Sequence, residues 1–103
     1  MRKYRNTPTN GYASKREAKR ADDLKLLEKA GHITELQQQV TFVLAPAVML
    51  DGRQKPKLKY IADFVYWEGH RMVVEDVKGA KTAVYRVKRH LMKHVHGIEV
   101  KEV

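Results

Sequence analysis

One segment constrains the fold more than any other. Leu58-Lys59-Tyr60-Ile61-Ala62-Asp63-Phe64-Val65-Tyr66-Trp67 is rich in aromatic and β-branched residues, and its apolar positions are consecutive rather than alternate. A strand of this kind is apolar on both faces, so it belongs in the middle of a sheet with cover on each side. In 103 residues there is room for one such sheet and its flanking helices, and not for two independently cored domains.

The flanking segments supply the rest. Residues 1–13 read as an irregular basic arm ending in the turn residues Thr7-Pro8-Thr9-Asn10-Gly11, and 14–103 as the folded domain. Ser14-Lys15-Arg16-Glu17 has the capping-box pattern, and Ala18, Ala21, Leu24 and Leu27 follow at helical spacing up to Gly31. Gln39–Leu44 reads as a strand, Leu50-Asp51-Gly52-Arg53 as a tight turn, and Glu68-Gly69-His70 as a short connection into a partner strand over Arg71–Lys78. Thr82 caps a second helix with an expected core face of Val84, Val87, Leu91 and Val95, ended by Gly97. Ile98–Val103 is a last strand, expected to pair in parallel because it follows a helical crossover. The reading is a single α/β domain in the order α-β-β-β-α-β, with a mixed central sheet flanked by helices.

Charge narrows the function. Lys plus Arg number 21 against 12 Asp plus Glu, a net charge of +9. Folding does not require that excess; its uses are binding a polyanion, above all nucleic acid, or an acidic membrane surface. The basic residues cluster before Arg20, at Arg53, Lys55, Lys57 and Lys59, and along the carboxylate-free stretch Val77–Ile98. Cysteine is absent, which excludes a disulfide framework, a thiol nucleophile and Cys-ligated metal. Met1-Arg2-Lys3-Tyr4-Arg5 has no apolar run behind it, and no segment approaches the ~20 apolar residues of a membrane span, so the expectation is a cytosolic protein without membrane contact.

Against that basic background a few acids stand in costly places. Asp63 falls mid-strand among apolar neighbours, and strict alternation puts it on one face with Ile61, Val65 and Trp67. Asp76 and Lys78 are two apart on the partner strand and share a face, and pairing about Gly69 brings Asp63 near Asp76. Two carboxylates and an ammonium make a poor structural motif but a serviceable Mg²⁺ site, with the lysine beside it for water and phosphate. Glu75 alternates to the opposite face, where it could partner a basic residue, and enters the site only if a bulge turns it. Glu17 has two readings, closing the capping box or pointing from the buried face of the helix to the sheet as a further metal ligand. His90 and His94 have zinc-helix spacing, but Leu91 stands where a zincin needs Glu and no third ligand is evident. Lys88 can reach a phosphate at the site, and Tyr85 is a candidate for its edge.

Three segments carry a resemblance: Ser14-Lys15-Arg16-Glu17-Ala18; Ile61-Ala62-Asp63-Phe64-Val65-Tyr66; and Val73-Val74-Glu75-Asp76-Val77-Lys78-Gly79, with Thr82 and Tyr85 after it. In this order they resemble the PD-(D/E)XK nuclease superfamily. More closely they resemble a family of short phage-encoded endonucleases, formerly a domain of unknown function, similar to Holliday junction resolvases. The resemblance implies a restriction-endonuclease-like αβββαβ core and a Mg²⁺-dependent nuclease, with Mn²⁺ able to substitute. Asp63 takes the place of the first acid, Asp76 of the second, Lys78 of the lysine and Glu17 of the helical acid, so Glu17, Asp63, Asp76 and Lys78 are the expected catalytic set. Asp63, Asp76, Glu17 and the Val77 carbonyl are the expected metal ligands. Ala62 stands where the motif has proline, and Asp76 where Glu is commoner. Arg2, Lys3, Arg5, Lys15, Arg16, Lys81, Lys88 and Arg89 are the candidate DNA contacts, with Glu75 and Tyr85 as further site candidates.

With no room for a separate specificity domain, the expected substrate is DNA read by shape, above all a four-way junction cut by a homodimer, with no small-molecule cofactor. The alternatives are a general or nicking phage endonuclease and a non-catalytic DNA-binding protein on a nuclease fold.

Overall fold

A computed structural model describes residues 14–78 and 81–103; the basic arm expected over 1–13, with Arg2, Lys3 and Arg5, lies outside the described residues. Helix α1 runs Lys15–Lys29, and the Ser14 side chain caps it by accepting the Glu17 backbone N–H at 3.1 Å. It buries Glu17, Ala18, Ala21 and Leu24. Leu27, expected on that face, is exposed. Each step of three residues falls about 60° short of a full turn, so by Leu27 the drift from Ala18 is about 180° and the side chain has left the contact face.

Strand β1 (Thr34–Ala45) extends well beyond the expected strand in the N-terminal direction. It pairs antiparallel with the central strand β4 (Leu58–Glu68), which pairs antiparallel with β5 (Arg71–Asp76) across a turn at Gly69-His70. Helix α2 (Ala83–His96) crosses over to β6 (Lys101–Glu102), which pairs in parallel with β5. The four-stranded sheet therefore has the order β1-β4-β5-β6 and is mixed, as expected. Between β1 and β4 the chain forms a separate two-stranded ribbon, β2 (Val48–Leu50) and β3 (Arg53–Lys55). Asp51 and Gly52, both at positive φ, make the turn that the Asp-Gly pair predicts.

Each helix covers a core of its own. On the α1 side Ala21, Leu24 and Ile33 pack with Phe64, Tyr66 and Val73. On the α2 side Tyr85 and Met92 pack with Leu44, Tyr60, Ala62, Val65, Val74 and Val100. The β4 residues in these sets correct the expected strict alternation: Tyr60 and Ala62 face α2, yet Phe64 and Tyr66, of the same parity, face α1. β1 behaves alike, with Leu36 against the α1 core and Val40 and Phe42 against the α2 core. The switch falls where Gln39 lies opposite Asp63, between the pairs Gln38↔Phe64 and Val40↔Ala62. Gln39 has φ +54, a left-handed conformation that rotates the strand about its axis without losing register.

The second helix also departs from expectation. Tyr85 and Met92 are its buried residues, whereas Val84, Val87 and Val95 are exposed and Leu91 is only partly covered. The sequence offers two apolar stripes on α2, and the sheet covers the one bearing the larger side chains. Thr82 and Gly97 cap the helix as expected, Gly97 at φ +70.

Candidate functional site

The rotation at Gln39 and Asp63 positions the site. Asp63 lies one step beyond the last β4–β5 pair, Phe64↔Glu75, and so opposite Asp76. Its Oδ2 accepts the Val77 backbone N–H at 2.8 Å, which fixes the carboxyl at the end of β5. The Gln39 side-chain amide donates to Asp63 Oδ1 at 3.3 Å and to Glu17 Oε2 at 2.9 Å. Glu17 is thereby drawn from α1 to the carboxylates of the sheet. Asp76, buried, accepts a hydrogen bond from the Tyr60 hydroxyl and lies 3.3 Å from Lys78 Nζ. The ammonium of Lys78 also sits 4.2 Å from the centre of the Tyr85 ring. Glu17, Asp63, Asp76 and Lys78 thus arrive from α1, β4, β5 and the segment after β5 at one place.

The electrostatics of the cluster are those of crowded acid. Burial raises the Glu17 pKa above its ordinary 4.5, and the charges of Asp63 and Asp76 raise it further against the Gln39 hydrogen bond. Burial likewise raises Asp63, with Asp76 adding to it, although the Val77 N–H, Gln39 and Lys78 favour its charged form. Among the described residues Lys78 is the one cation ion-paired within the group, and it pairs with Asp76. A divalent cation would relieve this repulsion, so the donor chemistry fits Mg²⁺. Among the described residues no three acidic or histidine side chains close on a point as a ready-made cage. Mg²⁺ characteristically uses one or two carboxylates and completes its shell with water and substrate phosphate. Asp63 and Asp76 could hold such an ion, with Glu17 beside them.

Glu75 is not part of this group, which corrects its candidacy. It lies fully buried on the α1 side, held by Arg20 at 2.8 and 2.6 Å and by the Tyr66 hydroxyl. No bulge turns β5, so Glu75 and Asp76 point to opposite faces. The capping-box reading of Glu17 is half realised: Ser14 accepts the Glu17 N–H, while the Glu17 carboxyl goes to Gln39.

The basic candidates divide. Arg16 spans from α1 to the carbonyls of Lys78 (2.9 Å) and Val103 (3.2 Å), bracing the segment that carries Lys78. Arg89 donates to the Val100 carbonyl, and Lys81 pairs with Glu102 at 3.0 Å. Tyr85 donates to Glu102 at 2.8 Å while its ring faces Lys78. Lys15 is exposed at the start of α1. Lys88 lines one open depression with Lys59, Tyr60, Ile61, Asp76, Lys78, Val84 and Tyr85, which opens Asp76 and Lys78 to solvent. Gln39, Tyr60 and Lys59 are site residues that sequence reasoning missed. The one available signal was the Gln37-Gln38-Gln39 run ahead of the apolar Val40 segment, and it acquires meaning only once Gln39 is paired opposite Asp63.

A family described as "Protein of unknown function (DUF1064)" matches residues 2–102, nearly the whole chain. The chain belongs to the DUF1064 family. The match spans all the elements that build the cluster, so the site is part of the DUF1064 unit rather than an addition to it. No curated protein and no solved structure matches this DUF1064 chain. Among the described residues no helix is long and apolar enough to cross a membrane.

Proposed function

We propose that the protein is a Mg²⁺-dependent DNA endonuclease, with Mn²⁺ able to substitute. The observation that carries this reading is the convergence of Glu17, Asp63 and Asp76 with Lys78, the last two lining an open depression, in a chain of net charge +9. Buried acids repel a polyanion unless a cation stands between them, and this cluster has the composition for that arrangement. The resemblance to PD-(D/E)XK nucleases supports it through the same four residues.

Asp63 and Asp76 would hold the metal, which supplies charge to polarise the phosphodiester and stabilise the leaving oxygen. The Val77 N–H and Gln39 aim the Asp63 carboxyl, and Tyr60 does the same for Asp76. Lys78, steadied by Asp76 and the Tyr85 ring, is placed to orient the attacking water and to sit beside the phosphate. Arg16 fixes the backbone of Lys78. Glu17 adds the third carboxylate from the helix.

The finer reading is a homodimeric resolvase of four-way junctions, acting in the cytoplasm, that of the host cell if the protein is phage-encoded. Each chain carries one catalytic cluster, and resolution needs two opposed cuts, which two-fold pairing supplies. Labelled junction and plasmid DNA, each incubated with Mg²⁺ and with EDTA, provide the test. Wild type should cut the junction in Mg²⁺ alone, and Asp63→Asn or Asp76→Asn should bind but not cut. Cleavage by Asp76→Asn at the wild-type rate would refute the site. Equal cutting of junction and linear duplex by a monomer would refute the resolvase reading and leave the nuclease standing.

A further inference from the structure

The β2–β3 ribbon belongs to neither core. Every residue from Pro46 to Lys59 is exposed, including Val48, Met49, Leu50 and Leu58. From buried Leu44 to the turn at Asp51 the strand can reach about 23 Å at ~3.3 Å per residue. Pro46 and Pro56 interrupt the ladder on the two strands, and the pairing resumes at Val48↔Lys55. A bare two-stranded ribbon contributes little stability of its own, so its extent calls for another explanation.

Its charge supplies one. Arg53, Lys55, Lys57 and Lys59 recur at every second residue, about 6.6 Å apart along an extended chain. Asp51, in the turn, is the single carboxylate between Leu36 and Ala62. None of the four cations has an ion-pair or hydrogen-bond partner among the described residues, whereas Arg16, Arg20, Lys78, Lys81 and Arg89 all do. Cross-strand pairs share a face, so Leu50 with Arg53 and Val48 with Lys55 present cations and apolar side chains together. At the other end of the row Lys59 lines the same depression as Asp76 and Lys78. The row therefore leads from the ribbon tip into the site.

We propose that the ribbon is a DNA-holding arm, in which Arg53, Lys55, Lys57 and Lys59 bind phosphates along one strand and lead it to the acidic cluster. This rests on the nuclease reading of that cluster. A two-stranded ribbon is of a size to enter the major groove, and its basic edge then meets the backbone. From Arg53 to Lys59 the row spans about 20 Å, or about six nucleotides at 3.4 Å per nucleotide of one strand, on one side of the cut. A second copy of the chain is the less suitable occupant, since two ribbons face to face would set unpaired cations against each other.

The test uses the full chain with Arg53→Gln, Lys55→Gln and Lys57→Gln together, exposed positions that leave the Asp51-Gly52 turn and Lys59 intact. Hydrolysis of bis(para-nitrophenyl) phosphate, which is too small to reach the arm, should match wild type. DNA affinity in EDTA should fall by about tenfold or more, and the slope of log K against log salt should shrink by about 2.7, three contacts at ~0.9 each. Protection in a hydroxyl-radical footprint should be lost on one side of the cut only. The variant Lys55→Arg with Lys57→Arg should keep the wild-type slope. An unchanged slope and footprint in the triple Gln variant overturns the arm while leaving the nuclease. A triple variant that instead sediments as a smaller species with its salt slope unchanged overturns it in favour of self-association. Wild type that neither hydrolyses the small diester nor cuts DNA overturns the nuclease reading and the arm with it.

Discussion

Replacing Arg20 by Met tests the division of labour between two adjacent carboxylates. Arg20 makes two hydrogen bonds to Glu75, whose side chain is wholly buried, while the Arg20 side chain is 25% exposed. Removing one partner of a buried pair costs about 3–5 kcal/mol, because the other charge stays behind in a poor solvent. With a quarter of Arg20 in water, the lower end applies, about 3 kcal/mol. For a domain of this size that is about 12–24 °C in Tm. The pH dependence is the sharper signature. Burial pushes the Glu75 pKa up, but the hydrogen bonds from Arg20 and Tyr66 outweigh it and hold the value below the ordinary 4.5. In wild type this group's contribution is therefore complete above its unfolded pKa and is lost as pH falls through the lowered folded value. In Arg20→Met burial is opposed only by the Tyr66 hydrogen bond and the charge of Lys101, so the folded pKa rises and the variant gains stability as pH falls from 7. Urea melts at pH 7 and pH 4 should show the gap between the proteins narrowing. A loss below about 1 kcal/mol at pH 7, or a gap independent of pH, would refute the assignment of Glu75 as a charged anchor.

Glu75→Gln should lower Tm and spare metal-dependent cleavage of the folded protein, whereas Asp76→Asn should abolish cleavage with little loss of Tm; paired melting and cleavage assays separate them. Glu17→Gln should stay folded, because the Ser14 cap uses the Glu17 backbone N–H, and should lose cleavage. Without metal it should melt no lower than wild type at pH 7: a raised folded pKa means that the Glu17 charge opposes folding above the ordinary carboxylate range. Mg²⁺ at a hundred times its Kd should stabilise wild type by about 2.7 kcal/mol at pH 7, and Asp63→Asn should lose most of that increment in differential scanning fluorimetry.

Much of this architecture is legible in the chain. The doubly apolar 58–67 segment determined a central strand, because no other place hides both of its faces. Ser14, Thr82 and Gly97 marked helix ends through the backbone groups they satisfy, and Asp51-Gly52 marked a turn through the positive φ it tolerates. Asp63, Asp76 and Lys78 stood out because a strand does not accommodate such residues without a use for them, and two-residue spacing kept Asp76 with Lys78. Tertiary structure decided the rest. Strand alternation is a local rule and could not foresee the rotation at Gln39, which depends on a left-handed residue pairing across from Asp63. That rotation puts Phe64 and Tyr66 under α1, Tyr60 and Ala62 under α2, and Glu17 within reach of Gln39 at the sheet. The choice between the two apolar stripes of α2 was equally undetermined, since Val84, Val87 and Val95 are as apolar as a core face requires. They stay exposed because the sheet seats Tyr85 and Met92 instead. Glu75 and Asp76, neighbours of the same charge, received opposite surroundings for a like reason: periodicity assigns a face, and only the packed fold decides whether that face holds Arg20 and Tyr66 or Tyr60, Asp63 and Lys78.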